Sequence, residues 1–330
     1  MKRDLGLVCD VGGTNCRFAL AVPGARELEA VAAYRCEEFP DFAAAASRYI
    51  DEHARKRKLR WAVIAVAGPV VANAVAMTNR PWRVDGAEIG ALLRLKSVRL
   101  VNDFSALAAA TPRLDAADLR AIGDVAHAAG GRVATSAVVG PGTGLGVGAL
   151  VKSERGTLVL PSEGGHAAFA PSDDLEREIA RVLSGRFGRL SYERLLSGEG
   201  LCNIYDALAR IEAAEPDPLA PRQITERATA GTDPRAKSAL DVFTRVLGAF
   251  AGDVALMFGA ESGVFVAGGM TPQTLLVFDD AAFRARFEDK GRFREFMQRV
   301  PAWIVTHPHA ALVGAASLAD EERITLAIGA

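Results

Sequence analysis

Two neighbouring polar residues, Asn102 and Asp103, stand at the end of an apolar run and directly before a helix-forming Ala-rich segment. A carboxylate delivered by a buried strand can act as a general base if it lies beside an acceptor hydroxyl group. Both residue types are also good N-caps for the helix that follows. The local sequence leaves both interpretations open, as it does a cap by Ser105 that would release Asp103 for catalysis.

Three glycine-rich turns each follow an apolar strand. Glycine lets the backbone approach a ligand closely, so that successive N–H groups can converge on phosphate oxygens, and threonine adds a hydroxyl donor. Any one of these turns is equally typical of an ordinary hairpin. The turns are Asp10-Val11-Gly12-Gly13-Thr14-Asn15, Gly140-Pro141-Gly142-Thr143-Gly144 and Gly268-Gly269-Met270.

Two common nucleotide motifs do not explain these turns. The chain lacks the Gly-x-x-x-x-Gly-Lys-Ser/Thr motif of P-loop proteins. The segment from Gly144 to Ala149 satisfies a relaxed dinucleotide pattern, but that pattern must be followed by a helix, and Val147 to Val151 reads as a strand. Two hairpin turns that face one another across a cleft suit a nucleoside triphosphate better.

Composition narrows the class of protein. The chain has 330 residues, with 39 basic and 40 acidic side chains, so no global field favours nucleic acid or an anionic membrane. We find no signal peptide and no apolar stretch long enough to span a bilayer. The four cysteines show no metal-ligand spacing, so we expect reduced thiols in a cytoplasmic protein without structural zinc.

The elements alternate between strands and helices, which is typical of the α/β class. Apolar runs at 5–9 and 16–22 predict a hairpin, helical spacing predicts a helix over 41–58, and further strands follow from 61 and over 97–101. The basic run at 55–58 is interpreted as the last turn of that helix.

From residue 134 the pattern of strand, glycine turn and strand begins again. The segment ATSAVVGPGTGLGVGALV resembles GLVCDVGGTNCRFALAV, displaced by about 130 residues. This weak internal repeat predicts two related sheets, each of which contributes one tight turn to a shared cleft.

Further helices are predicted in the second half of the chain. One begins at Ser172, as N-cap, and ends near Gly185; a long one spans 235–259, with Met257 on its buried face; a small-residue helix spans 310–318. The segment 215–223 is Pro-rich and is predicted to be a surface loop.

Seven ordered motifs resemble the bacterial ATP-dependent glucokinases, of the superfamily that includes hexokinases, heat-shock chaperones and actin-like ATPases. The resemblance covers nearly the whole chain, and no cysteine lies between Cys36 and Cys202, so it points to the zinc-free branch of the sugar kinases. The motifs are DVGGTN, AMTNRPW at 76–82, VNDF at 101–104, GPGTGLG at 140–146, PSEGGH at 161–166, SYERLLSGEGL at 191–201 and VAGGM at 266–270.

The resemblance implies a two-domain actin-like ATPase (ribonuclease H-like) fold, with duplicated sheet domains around a hinged cleft. The expected domains are a small α/β domain, 1–112 plus 313–330, and a large α/β domain, 113–312. It further implies a cytoplasmic enzyme of glycolysis that acts on glucose with ATP and Mg²⁺. By the same resemblance we expect a homodimer that binds neither nucleic acid nor membrane.

The same resemblance assigns the site residues. Asp103 is the expected general base in transfer of the γ-phosphoryl group of ATP to the 6-hydroxyl group of glucose, and Asp10 is expected to act on Mg²⁺, directly or through water. The expected sugar-binding residues are Asn102, Asp103, Glu163, His166 and Glu193, with Asn79 nearby. The expected nucleotide-binding residues are Cys9, Asp10, Val11, Gly12, Gly13, Thr14, Gly142, Thr143, Gly144, Gly268 and Gly269.

Two positions depart from the family pattern. Glu199 stands where proline is more frequent, and Arg80 where histidine is common.

A kinase for fructose or mannose is the alternative within enzymes, since hydroxyl stereochemistry is read by side-chain placement. A sugar-sensing regulator would need an N-terminal helix-turn-helix, for which the first strand, beginning by residue 5, leaves no room. A chaperone-like nucleotide switch would not need the Glu163, His166 and Glu193 set.

Overall fold

A computed structural model describes residues 4–77, 81–125, 133–269, 278–320 and 324–326. Asn79 and Arg80, both singled out by the sequence, lie outside these ranges. Within them, every helix is too short or too polar to cross a lipid bilayer.

The strands in the described ranges fall into two large sheets and one hairpin. They are β1 (Gly6–Val11), β2 (Asn15–Ala21), β3 (Glu29–Arg35), β4 (Trp61–Val66), β5 (Ala74–Ala76), β6 (Arg83–Asp85), β7 (Ser97–Asn102), β8 (Leu119–Ala121), β9 (Val133–Pro141), β10 (Leu145–Ser153), β11 (Gly156–Ser162), β12 (Val264–Val266), β13 (Ala302–Val305) and β14 (Ile324–Leu326).

The two large sheets repeat one arrangement. The first has the order β3-β2-β1-β4-β7, and the second contains the run β11-β10-β9-β12-β13. In the first sheet β1 pairs antiparallel with β2 and parallel with β4, and β4 pairs parallel with β7. In the second, β12 pairs parallel with both β9 and β13. The two related sheets predicted from the internal repeat are therefore confirmed.

The helices with described bounds lie between and after these strands. They are α1 (Phe42–His53), α2 (Gly86–Leu93), α3 (Asp103–Ala110), α4 (Asp174–Phe187), α5 (Gly198–Ile211), α6 (Pro221–Ala230), α7 (Pro234–Phe258), α8 (Asp280–Glu288), α9 (Arg294–Gln298) and α10 (Ala310–Leu318).

Several predicted helix ends were wrong. Helix α1 ends at His53, so the basic run 55–58 follows the helix, and Arg57 there pairs with Glu29 at 2.7 Å. The cap of α4 is Asp173, not Ser172, because the Asp173 carboxylate accepts the Glu176 N–H. Helix α4 also continues past Gly185, and α6 already begins within the predicted loop at 215–223.

The long helix α7 closely matches its predicted span. The Asp233 carboxylate caps its start, and Gly259 ends it in a left-handed conformation, with φ of 60°. One side chain was misplaced in the prediction, since Met257 is 65% exposed. Met257 is the next-to-last residue of α7, in its last turn.

The contacts divide the chain into two compact units. Unit 1 consists of Met1–Ala117, Gly148–Pro161 and His307–Ala330, and unit 2 of Asp118–Val147 and Ser162–Thr306. The domain division 1–112 plus 313–330 and 113–312 stays a prediction. In unit 1, aromatic and aliphatic side chains of β1, β2, β4 and α1 form a continuous core.

Helix α3, which begins with Asp103, is fixed within unit 1 by α10. A side chain at Gly314 of α10 would overlap the carbonyl oxygen of Ala106 in α3, so the two backbones touch directly. Close approach of this kind requires glycine, because any Cβ atom at this position would overlap the other helix. The first turn of α3 is thereby held against the sheet.

Candidate active site

The carboxyl ends of three parallel strands meet at one edge of the unit 1 sheet. Val11 of β1 is in register with Val66 of β4, and Val66 with Asn102 of β7. Adjacent strands lie about 4.8 Å apart, so the turn after Val11 and the Asn102-Asp103 pair are about 10 Å apart along this edge. The structure thus brings together the first glycine turn and the candidate base.

Asn102 is the N-cap of α3. Its side-chain Oδ1 accepts the N–H groups of Phe104, at 2.9 Å, and Ser105, at 3.2 Å, while its Nδ2 donates to the carbonyl of Gly68 at 3.4 Å. A cap by Ser105 was therefore wrong, because Ser105 is the third residue of α3 and is buried. Both lone pairs of the Asn102 oxygen are used by the cap, so this side chain has only N–H groups to offer a ligand.

Asp103 is the first residue of α3 and is half-buried. Its Oδ1 accepts the Phe104 N–H at 3.0 Å. The positive end of the helix dipole favours negative charge at this position. The side chain is thus a carboxylate at the carboxyl edge of the sheet, while the helix cap itself is supplied by its neighbour.

The turn from Gly12 to Thr14 joins β1 and β2 and is held from both sides. The Gly12 N–H donates to the Asn15 carbonyl at 3.0 Å. Cys36, after β3, donates its N–H to the Thr14 carbonyl at 2.9 Å and its thiol to the Gly12 carbonyl at 3.6 Å. These contacts fix the direction of the peptide groups that a phosphate would meet.

Cys9 and Val11, which flank Asp10 on β1, have side chains that are fully buried in the core of unit 1. Alternation along the strand places Asp10 on the opposite face. Any contact of Cys9 or Val11 with a nucleotide would have to come from the backbone. Burial also raises the pKa of the Cys9 thiol well above its ordinary value, which keeps it protonated.

Asp10 faces Arg17, its partner on β2, and their side chains form an ion pair at 3.0 Å. Burial raises the pKa of the Asp10 carboxyl above its ordinary value, and the charges of Arg17 and His309 act in the opposite direction. Among the described residues, no group of three or more His, Cys, Asp or Glu side chains could hold a metal ion. A single carboxylate nevertheless suits Mg²⁺ that arrives with a nucleotide, since this ion keeps several waters.

The second and third glycine turns lie side by side in unit 2. Strand β12 ends next to β9, with Val266 opposite Val139, so the turn after Pro141 and the turn at Gly268 share one edge. Gly268 has φ of 121°, and a side chain there would come within 2.6 Å of the Pro141 carbonyl oxygen. The chain can pass this closely only with glycine.

Glu193 and His166 meet beside the second glycine turn. Glu193 lies in the 3₁₀ helix Tyr192–Arg194, and its Oε1 is 3.8 Å from Nδ1 of His166, while its Oε2 accepts the Leu145 N–H at 3.0 Å. Glu163 immediately precedes the 3₁₀ helix Gly164–His166 and is exposed. Unit 2 therefore brings an imidazole and the Glu193 carboxylate together beside the predicted phosphate turn, with Glu163 three residues before the imidazole.

Comparison with known proteins agrees with these motifs. The sequence model of the glucokinase family matches residues 7–322. A glucokinase from Caulobacter sp. (strain K31) is 43% identical over 314 residues, which cover 94% of either chain. This chain belongs to the glucokinase family. It is therefore an ATP-dependent hexose kinase.

Solved glucokinases share the fold. The crystal structure of a glucokinase from an Antarctic psychrotroph superposes with a TM-score of 0.86 at 32% identity, over 96% of this chain and 99% of the other. A glucokinase from Balamuthia mandrillaris, solved in complex with glucose, superposes with a TM-score of 0.78 at 19% identity, over 97% and 94% of the two chains. The second likeness shows the fold alone.

Within this glucokinase-family chain, some contacts of the site were missed by sequence reasoning. Arg17 could have been found, because a three-residue turn between β1 and β2 sets Asp10 opposite position 17. Cys36, and Gly198, whose N–H donates to the Gly142 carbonyl at 2.9 Å, gave no signal. Their contacts with the turns depend on where distant segments fold. The departure at Glu199 lies near two arginines, Arg194 at 3.7 Å and Arg186 at 3.9 Å, on the surface of the unit.

Proposed function

We propose that the chain transfers the γ-phosphoryl group of ATP to the 6-hydroxyl group of glucose and that Asp103 is the general base. The observation that carries this assignment is that Asn102, and not Asp103, is the N-cap of α3. The helix therefore has an N-cap other than Asp103, whose carboxylate shares only the Phe104 N–H with that cap. This carboxylate lies at the same sheet edge as a glycine turn, where an acceptor hydroxyl and a phosphate can meet.

In this proposal Asp103 takes the proton of the 6-hydroxyl group as the sugar oxygen forms its bond to the γ-phosphorus. The bond from that phosphorus to the bridging oxygen breaks, and ADP leaves with the electron pair. General base catalysis of this kind contributes about 10²- to 10⁴-fold to the rate. The remaining demand is to hold the two substrates in line.

We propose that the backbone N–H groups of the turns at Gly12–Thr14 and Gly142–Gly144 bind the phosphates, with the turn at Gly268-Gly269 near the adenosine. Asp10 would hold Mg²⁺, directly or through water, and the ion would screen the negative charge on the phosphates. Arg17 keeps the Asp10 carboxylate at one place on β1. Two observations support this proposal. In unit 1 the turn after β1 lies at the carboxyl edge of the parallel strands, and in unit 2 the turns after β9 and β12 lie side by side at one sheet edge.

The sugar is proposed to be bound by Asn102, Glu163, His166 and Glu193, together with Asp103. Because the cap occupies the Asn102 oxygen, that side chain would donate through Nδ2 to a sugar oxygen. The carboxylates of Glu163 and Glu193 would accept from hydroxyl groups, and the exposed imidazole could do either. This mixture of donors and acceptors suits a ring of hydroxyl groups.

A coupled assay of ADP release over a panel of hexoses tests the proposal. Glucose should give the highest kcat/KM, and a higher value with fructose or mannose would assign another hexose. Asp103→Asn should lower kcat about 10²- to 10⁴-fold. Its melting temperature should stay within a few degrees of wild type, because the cap at Asn102 remains.

The matched control is Asp85→Asn, since Asp85 is a carboxylate that caps α2 in the same unit. This variant should keep full kcat. A near-normal kcat for Asp103→Asn would refute the base assignment. Failure of every hexose to stimulate ADP release, with ATP still bound, would favour a nucleotide switch.

We propose from the family resemblance that the enzyme is a cytoplasmic homodimer. Cys9 is a buried free thiol, which is consistent with a reducing compartment. Sedimentation equilibrium at micromolar concentration would distinguish a dimer from a monomer.

A further inference from the structure

The segment from Glu193 to Gly198 forms hydrogen bonds at both ends of the second glycine turn. The Gly198 N–H donates to the carbonyl of Gly142, the first residue of the turn, at 2.9 Å. After the turn, the Leu145 N–H donates to Oε2 of Glu193 at 3.0 Å. One short segment thus hydrogen-bonds to the peptide groups at the start of the turn Gly142–Gly144 and directly after it.

The place of the Glu193 carboxylate depends on residue 144 being glycine. A Cβ atom at Gly144 would be 2.6 Å from Oε2 of Glu193, which is too close for any real contact. A Cβ atom at Gly142, in the same turn, would meet nothing nearer than 3.8 Å. Neither glycine has a positive φ, so alanine is compatible with the backbone at both positions.

The carboxylate approaches from an anchored backbone. The Ser197 hydroxyl donates to the Glu193 carbonyl at 2.9 Å, and the Tyr192 hydroxyl donates to Asp253 of α7 at 3.0 Å. These two hydrogen bonds restrain the backbone at Glu193, so a Cβ atom at residue 144 should displace the carboxylate rather than the chain.

Leu145 is also contacted from the other proposed sugar segment. A side chain at Gly165 would overlap the Leu145 carbonyl oxygen, so the two backbones lie against each other. The second carboxylate oxygen, Oε1, is 3.8 Å from Nδ1 of His166. The strand that leaves the turn is consequently enclosed by both segments that carry proposed sugar ligands.

We propose that Glu193 couples hexose binding to nucleotide binding by positioning the turn at Gly142–Gly144. This inference rests on the proposed function, in which Glu193 binds sugar and the turn binds phosphate. A hexose hydroxyl held by the carboxylate fixes the Leu145 peptide and hence the turn. By linkage, a phosphate that orders the turn tightens hexose binding by the same factor.

The first test compares two alanine variants of one turn. Glucose affinity is measured by calorimetry without nucleotide. Gly144→Ala should weaken glucose binding at least about tenfold, the usual effect of losing a hydrogen bond to a charged group. Gly142→Ala should leave glucose affinity within about twofold, since its Cβ atom meets no sugar ligand.

The second test uses a non-hydrolysable ATP analogue in the absence of sugar. Glu193→Ala should weaken binding of the analogue about fivefold, because the Leu145 N–H loses its acceptor. Glu193→Gln should restore that affinity, since its amide oxygen can accept the same N–H group. A purely structural loss would not be rescued in this selective way.

The outcomes separate the two proposals. Wild-type glucose affinity in Gly144→Ala, with weakened affinity in Glu193→Ala, would overturn the coupling and leave the sugar assignment intact. Normal glucose affinity in Glu193→Ala would overturn both. If Gly144→Ala fails to fold, unchanged analogue affinity in Glu193→Ala still overturns the coupling.

Discussion

The turns after β1 and β9 occupy the same place in two sheets of the same order, but different contacts hold them. The first is held by Cys36 and carries a carboxylate, Asp10, one residue before the end of its strand. The second has Gly140 at the corresponding position and is held by Glu193 and Gly198. The two sheets therefore share the strand order and the position of the turn, but they differ in the side chains and segments that contact each turn.

Among the contacts that distinguish the two turns, the Asp10 carboxylate should give the largest effect. Asp10→Asn should lower kcat/KM about 10- to 100-fold, with a higher Mg²⁺ requirement, as losses at metal sites generally do. Activity against Mg²⁺ concentration measures this. Wild-type Mg²⁺ dependence would remove the difference that we draw between the two turns.

The same variant predicts a pH effect on stability. Burial raises the pKa of Asp10 in the fold, so its contribution to stability is present at acidic pH and is lost as pH rises from its ordinary value of 3.8 through the raised value. At neutral pH, Asp10→Asn should therefore unfold at or above the wild-type temperature. A lower melting temperature would show that the pair with Arg17 outweighs burial.

Support of the second turn by Gly268 should give the next largest effect. Gly268→Ala should lower the free energy of unfolding by about 2 kcal/mol, because alanine is strained at that φ. Gly269→Ala is the matched control, since the space around its Cβ position is open and its φ is not positive. Equal urea midpoints for the two variants would contradict this account.

The cap at the edge of unit 1 should contribute less. Asn102→Ala should lower the free energy of unfolding by about 1 kcal/mol, through loss of the bonds to Phe104 and Ser105. Asn102→Asp keeps the cap but loses the Nδ2 donor and its bond to Gly68, so it should cost less stability than alanine while it weakens glucose binding. Equal glucose affinity in Asn102→Asp and wild type would argue against a sugar contact at this residue.

The thiol that holds the first turn should contribute least. Cys36→Ala removes one weak hydrogen bond to Gly12 and should raise the KM for ATP about twofold to threefold, with the KM for glucose unchanged. Cys36→Ser retains a donor and should restore the KM for ATP. The reverse order of the two variants would mean that packing, not the hydrogen bond, positions the turn.

Most of the site's local framework could be predicted from the sequence. The hairpins, the strand that delivers Asp103, the long helix α7 and the repeat follow from apolar periodicity and glycine spacing, which act over a few residues. Helix caps were predicted less well. Asp, Asn and Ser all accept the same N–H groups, so adjacent candidates such as Ser172 and Asp173 compete, and only the folded backbone selects one.

What the sequence determined by itself is the family, through seven ordered motifs, and the set of residue types at each turn. What only the tertiary structure decided is which groups meet. The Leu145 N–H and the Glu193 carboxylate are 48 residues apart in the chain, and no local preference encodes their contact. That contact arises because packing brings a remote segment against the turn, and because Gly144 leaves the space that a carboxylate fills.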